Sequence, residues 1–133
     1  MKVYVFGNRD FGGDVMALTA AKKLEGKVKG VEFVTINPNE DLPFAGEPNV
    51  VILDAVAGID KVTVIDESSL DKLKVDRSVT VHDFDLGFQL QYLNKLGKLK
   101  KVTIIGLPQS GKVNYLRIQS ILRKLVEQEM QGS

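Results

Sequence analysis

Short runs of β-branched and aromatic residues alternate along this chain with longer segments of helical spacing. That alternation constrains the fold more than any other feature, because it is the pattern of strands and crossover helices in an α/β protein. Residues 2–6 (KVYVF) read as a strand closed by Gly7 and Asn8. Residues 14–24 read as a helix, with Val15, Leu18, Ala21 and Leu24 near one face, Lys22 and Lys23 late in the segment, and Gly26 as a stop. Residues 31–36 (VEFVTI) form a second strand, and 37–49 a polar loop with three of the four prolines.

Residues 50–53 (VVIL) are apolar without a break, as in a central strand covered on both faces. Residues 61–65 (KVTVI) follow a connection too short to hold a crossover helix, so 50–53 and 62–65 are expected to pair antiparallel. Residues 68–74 read as a short helix or a loop, and 78–81 (SVTV) as a strand leading to His82. A helix over 85–96 carries Leu86, Leu90, Leu93 and Leu96, and Gly97 ends it. Residues 101–105 (KVTII) are the last strand. Residues 115–128 are the last helix, with Leu116, Ile118, Ile121, Leu122 and Leu125 on one broad face. The expected architecture is a three-layer α/β sandwich. Its sheet is mostly parallel, with five or six strands, one of them antiparallel, and residues 1–133 form a single domain.

Composition narrows the function. At 133 residues and 44% hydrophobic, the chain is large enough to bury a core. Eighteen basic and seventeen acidic residues nearly cancel, which argues against a nucleic-acid binder. The absence of cysteine excludes disulfides, thiolate metal ligands and a cysteine nucleophile. No apolar run approaches the length of a membrane span, and the first strand begins at Lys2 with no room for a secretory signal. The expectation is a cytoplasmic protein with neither nucleic-acid nor membrane partners.

In an open parallel sheet, functional groups gather beyond the carboxyl ends of the strands. Asn8, Asp10 and Asp14 follow the first strand, Asp54 follows VVIL, and His82 follows SVTV with Asp83 and Asp85 behind it. Asp14, Asp54 and His82 would together offer an O,O,N ligand set with open positions, which suits nickel, cobalt or zinc. Each also has a purely structural role open to it. Asp14 can cap the first helix. Asp54 can pair with a lysine or cap a turn, since a carboxylate ending an apolar strand needs a partner. His82, the single histidine, can be a core side chain, and Asp83 and Asp85 suit the first turn of the helix behind them.

Two glycine-rich stretches look like nucleotide loops and fail on detail. Residues 106–112 (GLPQSGK), from Gly106 to Lys112, match the spacing of a phosphate loop. Val113 stands where Ser or Thr would hold magnesium, and Pro108 removes a backbone amide. A phosphate-binding protein is therefore a minor alternative, and Lys112 reads as an exposed loop lysine. Residues 7–13 (GNRDFGG) lack the dinucleotide fingerprint, with Asn8 where a second glycine is needed.

In chain order the sequence presents Gly7-Asn8 after the first strand, Gly13-Asp14 at the start of the first helix, and VILDAV around Asp54. SVTVHDF with His82 and Asp83 follows, and then IIGLPQ at the late strand. This ordered set resembles the hydrogenase maturation endopeptidases, which process the large subunit of nickel-iron hydrogenases. The resemblance covers about residues 1–109. Gly13 stands where the family carries the first acid of a pair, and the family's Gln-Pro pair is inverted to Pro108-Gln109.

The resemblance implies an aspartyl-type peptidase that removes a C-terminal extension from a hydrogenase large-subunit precursor. It implies that Asp14, Asp54 and His82 are the metal-binding and catalytic residues, and that they reach nickel already carried by the precursor. Cadmium or zinc would also suit such a site. The alternative is a non-catalytic module that reads a nickel-containing partner without cutting it.

Overall fold

The computed structural model describes residues 1–6, 15–36, 49–56, 59–66, 101–108 and 110–131. Its elements are β1 (Lys2–Phe6), α1 (Val15–Leu24), β2 (Glu32–Ile36), β3 (Asn49–Val56), β4 (Thr63–Asp66), β5 (Lys101–Pro108) and α2 (Tyr115–Gln131). Among the described residues the strands form one five-stranded sheet in the order β2-β1-β3-β5-β4. β1 pairs in parallel with β2 and β3, β3 pairs in parallel with β5, and β4 is antiparallel to β5.

Burial explains which strand takes which place. β5 is buried from Val102 to Pro108, and β3 from Val50 to Ala55. Such unbroken runs belong in the middle of a sheet, where both faces are covered. β4 alternates between half-buried and exposed residues, as an edge strand does. This corrects the expected pairing of 50–53 with 62–65. The connection does reverse the chain, but β5 lies between β3 and β4 and supplies a longer apolar ladder than β4 offers. β3 also extends beyond 50–53 through Val56, because β5 matches it residue for residue from Asn49↔Lys101 to Val56↔Pro108.

Both helices among the described residues lie on one face of the sheet. Val3, Val5, Val51, Leu53, Ile105 and Leu107 pack there against α1 and α2. α1 contributes Ala17, Ala20, Ala21 and Leu24, a helical stripe whose alanines allow close approach to the strands. Lys22 and Lys23 stand in its last turn, where cations complement the helix dipole. The helix ends on a left-handed Gly26 (φ 79°), the conformation glycine supplies at a helix C-terminus.

α2 begins at a cap. The Asn114 Oδ1 accepts a hydrogen bond from the Arg117 backbone N–H at 3.1 Å. Ile118, Ile121 and Leu122 are buried, and Leu125 packs beside them. Leu116 does not share that face. It is 76% exposed, since two residues before Ile118 is about 200° around the helix. Lys23 Nζ stands 4.9 Å from the centre of the Tyr115 ring and links the two helices.

The opposite face carries Tyr4, Phe6, Ile36, Val50, Ile52, Val102 and Ile104, all buried, with Val34 and Ile65 beside them. Side chains are therefore buried on both faces of the sheet. The expected strand over 78–81 and helix over 85–96 lie outside the described residues. No helix among the described residues is long and apolar enough to cross a membrane.

Candidate active site

The sheet order places a topological switch between β1 and β3. From β1 the chain passes through α1 to β2 on one side, and β3 then lies on the other side of β1. Connections that leave neighbouring strands in opposite directions open a crevice at their carboxyl ends, the usual ligand position in such sheets. α1 also starts at this edge, directly after the β1 segment in sequence.

Asp54 stands at this switch. It is the sixth residue of β3, only 2% exposed, and the one buried carboxylate among the described residues. Strand alternation sends its side chain to the face of Val50 and Ile52, away from α1 and α2. Val5 pairs with Leu53, so Phe6 is level with Asp54 one step on. On the other side Asp54 pairs with Gly106, and Gly106 pairs in turn with Thr63. The row across the carboxyl end of the sheet thus reads Ile36, Phe6, Asp54, Gly106, Thr63.

This is a costly place for a carboxylate. Ile52 precedes it on the same face of β3, and Phe6 is 3% exposed. A buried carboxylate costs several kcal/mol unless neighbouring groups hold it, so packing alone does not account for Asp at this position. Such a group suits cation binding, proton transfer or activation of water.

Of the residues singled out in the sequence, the structure describes Asp54. Asp14 immediately precedes α1, and Asp14, His82, Asp83 and Asp85 lie outside the described residues, as do Asn8, Asp10 and Gly13. Among the described residues no three His, Asp or Glu side chains come together. Lys112 is exposed, and Gly111 turns through a left-handed φ of 88°. The first turn of α2 donates its Arg117 amide to Asn114, so that amide is committed within the chain rather than to a phosphate. The partners of Asp54 across the sheet, Gly106 and Thr63, were not legible as neighbours. Their proximity follows from strand order: Gly106 is 52 residues from Asp54 in sequence, and Thr63 reaches the row only through its pairing with Gly106.

A groove of about 490 Å³ lies at the opposite end of the sheet, lined by Lys2, Glu32, Asn49, Lys101 and the end of α2. It collects the first residues of the parallel strands and is remote from the switch.

The fold and its switch-point carboxylate define an α/β protein with a mixed, mostly parallel sheet. Its fold is that of the hydrogenase maturation endopeptidases. The hydrogenase maturating endopeptidase HybD from E. coli matches with a TM-score of 0.64 at 15% identity, over 99% of this chain and 93% of its own. A solution structure of an endopeptidase from Escherichia coli matches with a TM-score of 0.60 at 16% identity, over 95% of this chain and 90% of its own. The hydrogenase 2 maturation peptidase of a Thaumarchaeota archaeon matches with a TM-score of 0.50 at 19% identity, over 98% of both chains. No protein-family model and no curated protein matches the sequence.

Proposed function

We propose that this chain is an endopeptidase that removes the C-terminal extension of a nickel-loaded hydrogenase large-subunit precursor. The single observation that carries the reading is Asp54, a carboxylate nearly buried at the carboxyl end of a central strand, at the switch point of the sheet. The likeness of the whole fold to hydrogenase maturation peptidases supports it. So does the ordered set of Gly7-Asn8, Asp14, Asp54 and His82 along the sequence.

In this reading the nickel belongs to the substrate. Asp14, Asp54 and His82 offer it two carboxylates and an imidazole, a donor set suited to a borderline divalent ion. The ion joins enzyme to precursor and fixes which peptide bond lies against the site. The chain has no cysteine and one histidine, so water activated by a carboxylate is the simplest nucleophile. The enzyme works in the cytoplasm, on a protein partner.

Processing of the purified precursor, prepared with and without nickel, tests the reading. Wild-type protein shortens the nickel-loaded precursor and leaves the nickel-free one intact. Asp54→Asn and His82→Ala each slow processing by about 10²-fold or more. Equal processing by wild type and both variants overturns the assignment. Stable association with the loaded precursor, with no change in its size, supports a non-catalytic module instead.

A further inference from the structure

β2 ends the sheet on its side among the described residues, with β1 as its one strand neighbour there. The Glu32 backbone N–H donates to the Met1 carbonyl at 2.9 Å, so Glu32 turns its backbone groups toward the β1 side. Backbone groups alternate in direction along a strand, and Phe33 and Thr35 therefore turn their N–H and C=O groups to the outer edge. Side chains alternate with the same period. Phe33 packs against the cluster beneath the helices, and Thr35 shares its face.

A groove of about 770 Å³ runs beside that edge. α1 lines it with Leu18, Ala21, Lys22 and Glu25, and β2 with Phe33 and Thr35. The four α1 residues follow helical spacing and form one stripe along the helix. Lys22, Glu25 and Thr35 are exposed, and Leu18 and Phe33 are half-buried, so the groove is open to solvent. Its floor is apolar and its outer wall is a strand edge, the combination that receives an extended peptide.

Charge indicates which peptide. The chain as a whole is close to neutral, but residues 22–29 expose Lys22, Lys23, Lys27 and Lys29 against Glu25 alone. A second copy of this chain paired edge to edge would set these lysines near their own kind, and like charges disfavour that pairing. An acidic segment is complementary to them.

We infer that the groove between α1 and β2 is a docking site for an extended, acidic and apolar segment of the precursor, which adds to the outer edge of β2 as a further strand. The inference rests on the peptidase reading above and deepens it by naming where the partner is held outside the catalytic crevice. Alternate side chains of the segment enter the groove, apolar ones onto Leu18 and Phe33 and a carboxylate at Lys22. Ile36 ends β2 in the same row as Phe6 and Asp54. The added strand lies three strand spacings from β3, roughly 15 Å, which about five extended residues span. Docking here therefore delivers the chain to the edge of the sheet where Asp54 stands.

The test uses full-length wild type, Lys22→Glu, Phe33→Ala, Thr35→Pro, Asp54→Asn and Lys124→Glu, a charge reversal at an exposed position of α2 away from the groove. Thr35→Pro removes an outward N–H and leaves the ladder with β1 intact, since proline is tolerated where a strand edge faces out. Overlapping synthetic peptides covering the precursor are titrated by fluorescence anisotropy, processing of the nickel-loaded precursor is followed at steady state, and melting is recorded for each variant. An acidic, apolar peptide binds wild type, and its affinity falls roughly 10-fold in each of the three groove variants. KM for the precursor rises in step, Lys124→Glu matches wild type, and Asp54→Asn binds the peptide within about twofold of wild type while processing is lost. Wild-type affinity and KM in Lys22→Glu and Phe33→Ala overturn the docking site. Equal losses in Lys22→Glu and Lys124→Glu, with none in Phe33→Ala, overturn it too and reduce the lysines to general electrostatic attraction. If Thr35→Pro does not fold, Lys22→Glu and Phe33→Ala decide. A peptide-free self-association that Thr35→Pro abolishes overturns the inference in favour of a second copy at this edge. Unaltered processing by Asp54→Asn overturns the peptidase reading, whereas an inactive Asp54→Asn beside unaffected groove variants removes the docking site alone.

Discussion

Asp54 sits where an apolar residue would serve the core better. Ile52 and Leu53 before it are fully buried, and Ala55 after it is as well. A carboxylate in that run costs desolvation that neighbouring groups must offset, and removing one side of a buried charged interaction leaves the other side uncompensated. Asp54→Asn keeps the shape of the side chain and removes the charge. Its melting temperature is expected to fall by less than about 10 °C while processing is lost. A melting temperature lowered by more than about 10 °C would mean that the carboxylate holds the fold together, since a loss of about 1 kcal/mol shifts melting by roughly 4–8 °C in a small domain. Stability and activity would then be inseparable at this residue, and its retention would need no catalytic explanation.

At the scale of elements, the ends of α1 and α2 rest on different devices. α2 starts on the Asn114 side chain, which holds the Arg117 amide, and α1 ends on a left-handed Gly26. Asn114→Ala is expected to cost about 1 kcal/mol in denaturant unfolding. Gly26→Ala is expected to cost about as much or more, although its added Cβ meets no atom within 4 Å. The penalty there comes from backbone conformation, so an unchanged stability in Gly26→Ala would show that α1 ends elsewhere. The stop at Gly26 was legible in the sequence because glycine after a helical run has a local cause. So were KVYVF and VVIL, whose residue types suit buried strands. The partner of KVTVI was not legible. A short connection dictates that the chain reverses, and it does not dictate that the returning strand lies next to the one it left. β5 takes that place because it pairs with β3 along all eight residues and is buried over seven of them. The face of α2 was read one residue too wide at Leu116, where a leucine near the helix start signals core by type and solvent by angle. Asp54 itself was legible because a charged residue closing an apolar strand has few structural reasons to be there. Its neighbours depend on sheet register, which no short stretch of sequence encodes.

For the whole molecule, the sheet separates two tasks. The face with Val3, Val5, Val51 and Leu53 receives α1 and α2, and Leu122 is fully buried against it. The face with Tyr4, Val50, Ile52 and Ile104 carries Asp54 at its carboxyl end, and Ile52 stands two residues before Asp54 on the same side of β3. Leu122→Ala and Ile52→Ala each delete a fully buried aliphatic side chain, and each is expected to cost about 2–5 kcal/mol of stability. They lie across the sheet from one another, so their costs should add within about 0.5 kcal/mol in the double variant. Their effects on processing should differ. A cavity at Leu122 lies behind the sheet, and the folded fraction of Leu122→Ala should process precursor at the wild-type rate. A cavity at Ile52 lies under Asp54, and the same loss of stability there should lower kcat, because a carboxylate that relaxes toward a void no longer holds its place against the substrate. Activity per folded molecule, measured well below both melting temperatures, separates the two cases. Equal activity in the two variants would show that the carboxyl end of β3 holds its geometry independently of the apolar column beneath it, and that the Asp54 face is no more coupled to the site than the helical face.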